Sequence, residues 1–98
     1  MQKRSYKLSE LAQPHLLKIK DYTVNNFSPL QWRSYKEKLL TTFQLLADNP
    51  EVGRSCNDIY PNGFYFPIGK HTAYFIKEDG FIMIVAVLNQ SQLPENHL

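Results

Sequence analysis

Ninety-eight residues, 43% of them hydrophobic and 20% charged with a formal net charge of +2, predict one soluble domain, spanning 1–98, with a single two-layer core. They exclude both a disordered chain and a two-domain one. The single cysteine, Cys56, excludes an internal disulfide and points to a reducing cytoplasm, while the polar residues after Met1-Gln2-Lys3-Arg4 and the shortness of every apolar run predict neither a signal peptide nor a membrane span.

Tyr6-Lys7-Leu8 alternates as a short strand with one wet face. Ser9 has the chemistry of a helix cap, but a helix starting there would hold Pro14 in its interior, where the ring clashes with the carbonyl four residues back. A loose turn over residues 9–13 is therefore expected, then a helix with Pro14 at or near its first position. Leu16, Ile19, Thr23 and Phe27 form its apolar face, widened by Leu17 and Val24, and Asn25-Asn26 ends it. The second helix is punctuated at both ends, with Ser28 as N-cap, Pro29 in the first helical position and a stop at Asp48-Asn49-Pro50. Between them Trp32, Tyr35, Leu39, Phe43 and Leu46 recur at helical spacing, flanked by Leu40 and Ala47, along a rod of roughly 30 Å. With only Phe27-Ser28 between them, the two helices must form an antiparallel hairpin.

After Pro50 the chain changes character. Residues 52–57 read as a connector and Pro61-Asn62-Gly63 as a turn. Residues 64–66 form a short strand that Pro67 ends or confines to a sheet edge, because proline cannot donate to a ladder. Residues 71–77 form the next strand, and Glu78-Asp79-Gly80 turns the chain into FIMIVAVL, residues 81–88. Eight consecutive apolar residues rich in β-branched side chains belong in a strand covered on both faces, with antiparallel pairing to its predecessor. The remainder after Asn89-Gln90-Ser91-Gln92 reads as a polar tail from Leu93 onward. The order β-α-α-β-β-β defines an α+β domain, an antiparallel sheet with the helical hairpin packed on one face.

Charge divides unevenly along this order. Residues 1–54 carry nine Lys or Arg against five acids, and residues 55–98 carry two against four, so the basic charge sits on the helical half. Glycine-rich phosphate loops, paired cysteines, a His-x-x-x-His pair and a nucleophile elbow are all missing. His15, His71 and His97 are too far apart in sequence to suggest a metal site, and neither metal nor cofactor is expected. Cys56 lies near Arg54, which would favour thiolate, but it reads more simply as a small packed loop residue. The aromatic cluster Tyr60, Phe64, Tyr65, Phe66, Tyr74, Phe75 and Phe81 lacks the interleaved cations of a base-stacking platform and reads as core on one face and a protein contact on the other. Lys18, Lys20, Arg33, Lys36 and Lys38 form a solvated basic face that could draw in an acidic partner.

The order and spacing of these residues resemble the ParE branch of the RelE/ParE toxin superfamily over residues 6–93. The resemblance is carried by Ala12, Leu16, Ile19, Tyr22 and Phe27; by the Trp32-to-Leu46 helix; by the junction Leu46, Pro50, Gly53, Arg54; and by the segment Phe66, Pro67, Gly69, His71 with the strand ending VLNQ. It implies a bacterial toxin neutralised by a cognate antitoxin that folds around the helix hairpin and crosses the sheet. It implies an antitoxin surface at Leu17, Lys20, Val24, Trp32, Arg33, Lys36, Leu40 and Arg54. ParE relatives act on DNA gyrase and RelE relatives are ribosome-dependent mRNA endonucleases. Cleavage of RNA needs several cations and a titrating group aimed at one phosphate, whereas here the sheet half is net negative and its last strand exits through amides. The reading therefore favours a gyrase inhibitor over an enzyme, with specific nucleic-acid binding only through the antitoxin. The mRNA endonuclease and a non-toxic co-repressor are the alternatives. The expected target surface is Tyr65, His71, Tyr74, Asn89, Gln90, Ser91, Gln92 and Leu93.

Overall fold

In the computed structural model, which describes residues 4–98, a helical hairpin packs on one face of a five-stranded sheet. The first three residues of the domain expected over 1–98 lie outside the described residues. Strand β1 (Ser5–Leu8) leads into α1 (Ala12–Asn26) and α2 (Pro29–Asp48); β2 (Arg54–Ser55), β3 (Gly63–Ile68), β4 (His71–Glu78) and β5 (Phe81–Asn89) follow. The sheet order is β1-β5-β4-β3-β2. Strands β3 to β5 pair antiparallel, as expected; two residues of the expected connector form the edge strand β2, also antiparallel, and β1 joins the other side of β5 in parallel, so the sheet is mixed and not wholly antiparallel. The hairpin of helices carries the chain from β1 at one edge of the sheet to β2 at the other, and β5, the last strand, enters between β4 and β1. Among the described residues no helix is long and apolar enough to cross a membrane.

The second helix begins and ends where its punctuation placed it. Ser28 Oγ accepts a hydrogen bond from the Gln31 N–H at 3.0 Å and Pro29 opens the helix. Its buried face is Leu39, Phe43, Leu46 and Ala47. The first helix starts two residues before Pro14. Proline is accommodated anywhere in the first turn, where N–H groups have no helical partner. Ser9 serves as a cap after all: its Oγ accepts from the Ala12 N–H at 3.1 Å and its carbonyl from the Gln13 N–H at 3.2 Å. Ile19 and Thr23 are buried, but Phe27 is 62% exposed. The helix stops at Asn26 and Phe27, with φ −129° and ψ −91°, turns its ring outward against Tyr22.

Strand β5 explains the apolar run. A bulge lies opposite Tyr74 and Phe75, which pair with Ala86 and Ile84 and leave Val85 between them. An extra residue in one strand shifts the alternation of faces. Ile82, Ile84 and Val87 therefore join Leu39, Phe43, Leu46, Ala73 and Phe75 beneath the helices. Val85, Ala86 and Leu88 join Cys56 and Tyr74 in a second cluster on the opposite face, with Tyr60, Tyr65 and Leu98 packed against it. The expected polar tail thus includes a short 3₁₀ turn, Pro94–Asn96, and a terminal residue that packs on the second cluster.

Beyond Leu8, β1 no longer covers the edge of β5. Ser9 and α1 take over. The Ser9 N–H donates to the Ile84 carbonyl at 3.0 Å, Ser9 Oγ donates to the carbonyl of the bulged Val85 at 3.0 Å, and the Val87 N–H donates to His15 Nδ1 at 3.2 Å. Backbone groups that the ladder leaves unpaired are thereby satisfied one by one.

Candidate functional site

Two concavities flank α1, and each is built from residues that the sequence keeps far apart. The larger, a cleft of about 510 Å³, lies between α1, the start of α2, the β3–β4 turn and the end of β5. Its floor is set by one tight turn. Ile68 pairs with His71, so Gly69 and Lys70 form a two-residue hairpin loop, and Gly69 takes φ +59°. Tyr35 of α2 lies so close that a Cβ on Gly69 would come within 2.9 Å of its ring and hydroxyl.

The Tyr35 hydroxyl fastens helix to sheet. It lies 3.0 Å from the Ile68 carbonyl, to which it donates, and 2.6 Å from His71 Nδ1. A hydroxyl has one proton, so with that proton on Ile68 the second bond is donated by His71 Nδ1–H. Burial pushes the Tyr35 hydroxyl above its usual range and His71 below its own. His15 is also held low, first by burial and then by the charges of Lys18 and His97. Its Nδ1 accepts from the Val87 N–H, so the neutral ring carries its proton on Nε2. The three histidines, dispersed in sequence, all line this cleft. Among the described residues no group of histidine, cysteine and carboxylate side chains is arranged to hold a metal ion.

At the cleft's rim the chain leaving β5 is tightly folded. The Asn89 N–H donates to Gln92 Oε1 at 2.8 Å and the Gln92 N–H returns to the Asn89 carbonyl at 2.9 Å. Ser91 donates twice to Asn89 Oδ1, from its N–H at 2.9 Å and from Oγ at 2.8 Å. Gln90 ties this turn to the β3–β4 turn through Lys70 and Gly69 carbonyls, at 3.1 and 3.2 Å.

The smaller concavity, a groove of about 370 Å³, runs along the other flank of α1 and is lined by Leu16, Leu17, Lys20, Trp32, Lys36 and Leu40, among others. Five of the eight residues expected to face an antitoxin meet here: Leu17, Lys20, Trp32, Lys36 and Leu40. Val24 and Arg33 do not line it, and Arg54 sits on the outer edge strand, paired with Tyr65.

The expected target surface separates into two faces. Alternation along β4 sends His71 with Ala73 and Phe75 toward the helices, whereas Tyr74 turns to the opposite side and is only 8% exposed. Tyr65 lies beside it, their ring centroids 6.4 Å apart. Asn89 pairs with His71 in the ladder, and Asn89, Gln90, Ser91, Gln92 and Leu93 are exposed. The aromatic cluster divides the same way, with Phe64, Phe66 and Phe75 under the helices and Tyr60, Tyr65 and Tyr74 opposite. Cys56 is buried, and burial followed by Asp58 pushes its thiol up. It packs rather than reacts. Sequence reasoning did not gather His15, Lys18, Tyr35 and His97 into a site; the local sign within reach was glycine and histidine two residues apart, Gly69 and His71, astride a tight turn.

Comparison with known proteins is consistent across methods. Residues 6–94 match the family described as the ParE toxin of the type II toxin-antitoxin system parDE. The chain is 35% identical over 94 residues to Toxin ParE1 from two strains of Mycobacterium tuberculosis, an alignment covering 95% of this chain and 96% of theirs. A chain from the chromosomal ParDE system of P. aeruginosa shares the fold with a TM-score of 0.75 at 17% identity, covering 89% of this chain and 96% of that one.

Proposed function

The chain belongs to the ParE toxins of type II toxin-antitoxin systems, and from that premise we propose that it acts by inhibiting DNA gyrase and is silenced by its cognate antitoxin along the helical hairpin and across the sheet. A cytoplasmic site of action follows from that target. The observation that carries the reading is the state of the titrating groups. His71 and Tyr35 are engaged with each other and with the backbone on the helix side, and the opposite sheet face is filled by Tyr74, Val85, Ala86 and Leu88. A ribonuclease would gather cations and a proton-transfer group on one open face. What the end of β5 offers instead is a closed turn of amides and a hydroxyl, fixed by its own hydrogen bonds and rimmed by exposed Leu93. Such a preorganised polar edge suits recognition of a protein surface.

The antitoxin side of the proposal rests on the groove beside α1. Its apolar lining, which includes Trp32 with Lys20 and Lys36 at hand, fits an amphipathic segment carrying acidic residues. The deciding experiment adds the purified full chain to a gyrase supercoiling reaction. Loss of supercoiled product with rising toxin, reversed by the cognate antitoxin, supports gyrase as target. Undiminished supercoiling at molar excess, together with cleavage of ribosome-bound messenger RNA, would overturn it in favour of the endonuclease.

A further inference from the structure

We propose that the cleft between α1, the β3–β4 turn and the end of β5 binds a mononucleotide, its phosphate held by Lys18 and Lys70 and its base laid against Tyr22 and Phe27. The cleft's volume of about 510 Å³ is within the range of small-ligand sites. Its lining is electrically one-sided: two lysines and three histidines border it, and no carboxylate among the described residues does. Neither Lys18 nor Lys70 makes an ion pair among the described residues. His15 is held low first by burial and only then by the charges of Lys18 and His97, which border the same cleft.

One wall is aromatic and bare. Tyr22 and Phe27 are each 62% exposed, with ring centroids 6.3 Å apart and planes inclined at 65°. Two rings kept in water beside a cleft bordered by two lysines suit a ligand that is flat at one end and anionic at the other. Hydrogen-bonding capacity is also present. The Nδ1 atoms of His15 and His71 are engaged with the protein, while both Nε2 atoms have no partner among the described residues. The proposal concerns binding of a mononucleotide without cleavage of a phosphodiester, so its failure leaves the gyrase reading standing, and messenger RNA cleavage, not nucleotide binding, is what would overturn that reading.

The test is titration of the full chain with adenosine 5′-monophosphate, followed by calorimetry and by the NMR signals of the histidine and tyrosine rings. Saturable binding is expected, with shifts at His15, His71 and Tyr22. Adenosine and ribose 5-phosphate should each bind about tenfold more weakly, because each lacks one of the two anchors. Lys18→Ala and Lys70→Ala should each weaken binding roughly fivefold to tenfold, and Tyr22→Ala similarly, whereas Lys36→Ala in the other groove should leave it unchanged. Both lysines are exposed, and unchanged thermal melting of the variants would show that folding is intact. Absence of heat and of ring shifts up to about 5 mM nucleotide overturns the proposal. So does affinity indifferent to both lysine substitutions, or ribose 5-phosphate binding as tightly as the nucleotide.

Discussion

Gly69 is constrained twice, by φ +59° and by Tyr35 at 2.9 Å from where a Cβ would stand. Gly80, at φ +83°, has open space around the same position. Gly69→Ala is therefore expected to cost about 2–4 kcal/mol and Gly80→Ala about 1 kcal/mol, read from urea midpoints at unchanged slope. The histidines add a pH dependence. His15 and His71 both have lowered values in the fold, so the unfolded chain takes up protons first as pH falls. Their contribution is intact above the ordinary histidine value of about 6.5 and is lost progressively below it, down through the folded values. Denaturation midpoints between about pH 8 and pH 5 should fall on the acid side, and His15→Asn should flatten part of that decline.

At the scale of elements, the bulge in β5 and the start of α1 are one construction. Ser9 Oγ both accepts from the Ala12 N–H and donates to the Val85 carbonyl, whereas Ser28 Oγ makes a single exposed cap bond. Ser9→Ala should thus destabilise by about 2 kcal/mol and Ser28→Ala by about 1 kcal/mol, measured under the same denaturant conditions. This contrast also marks what the sequence could reveal. Ser28-Pro29 and Asn49-Pro50 announce α2 because caps and stops act within a few residues. Pro14 argues against Ser9 as a cap within its own neighbourhood, and the serine's second bond goes to a carbonyl 76 residues away. The parallel pairing of β1 with β5 has no turn of its own to signal it, and β2 is two residues long. Leu17, Lys20, Trp32, Lys36 and Leu40 are named together through the family resemblance, and the packing of the two helices brings them to one groove. The histidine-lined cleft is not legible in the sequence, because its members meet only through strand register and helix packing.

For the molecule as a whole, α1 separates two surfaces of different character, one apolar with a tryptophan and one basic with histidines. Trp32 is the only tryptophan in the chain, so its emission reports on the groove. Titration with the cognate antitoxin should shift that emission to the blue as water leaves the indole. Trp32→Ala should weaken the complex at least about tenfold, as expected for a central aromatic anchor. An antitoxin that binds without changing the emission would place the contact elsewhere.

The parallel junction of β1 and β5 also bears on how the protein comes into being at the ribosome. The sheet partner of the first strand is the last one, so a growing chain cannot close its sheet until β5 has been made. Until then the apolar face of α2, with Leu39, Phe43 and Leu46, has no finished surface to rest on, and such nascent chains are targets for chaperones and proteases. A chain halted before residue 89 would lack the rigid strand and the amide turn built on its end. In this fold the two ends of the described chain meet in one ladder, so the sheet is complete only with the final stretch of synthesis.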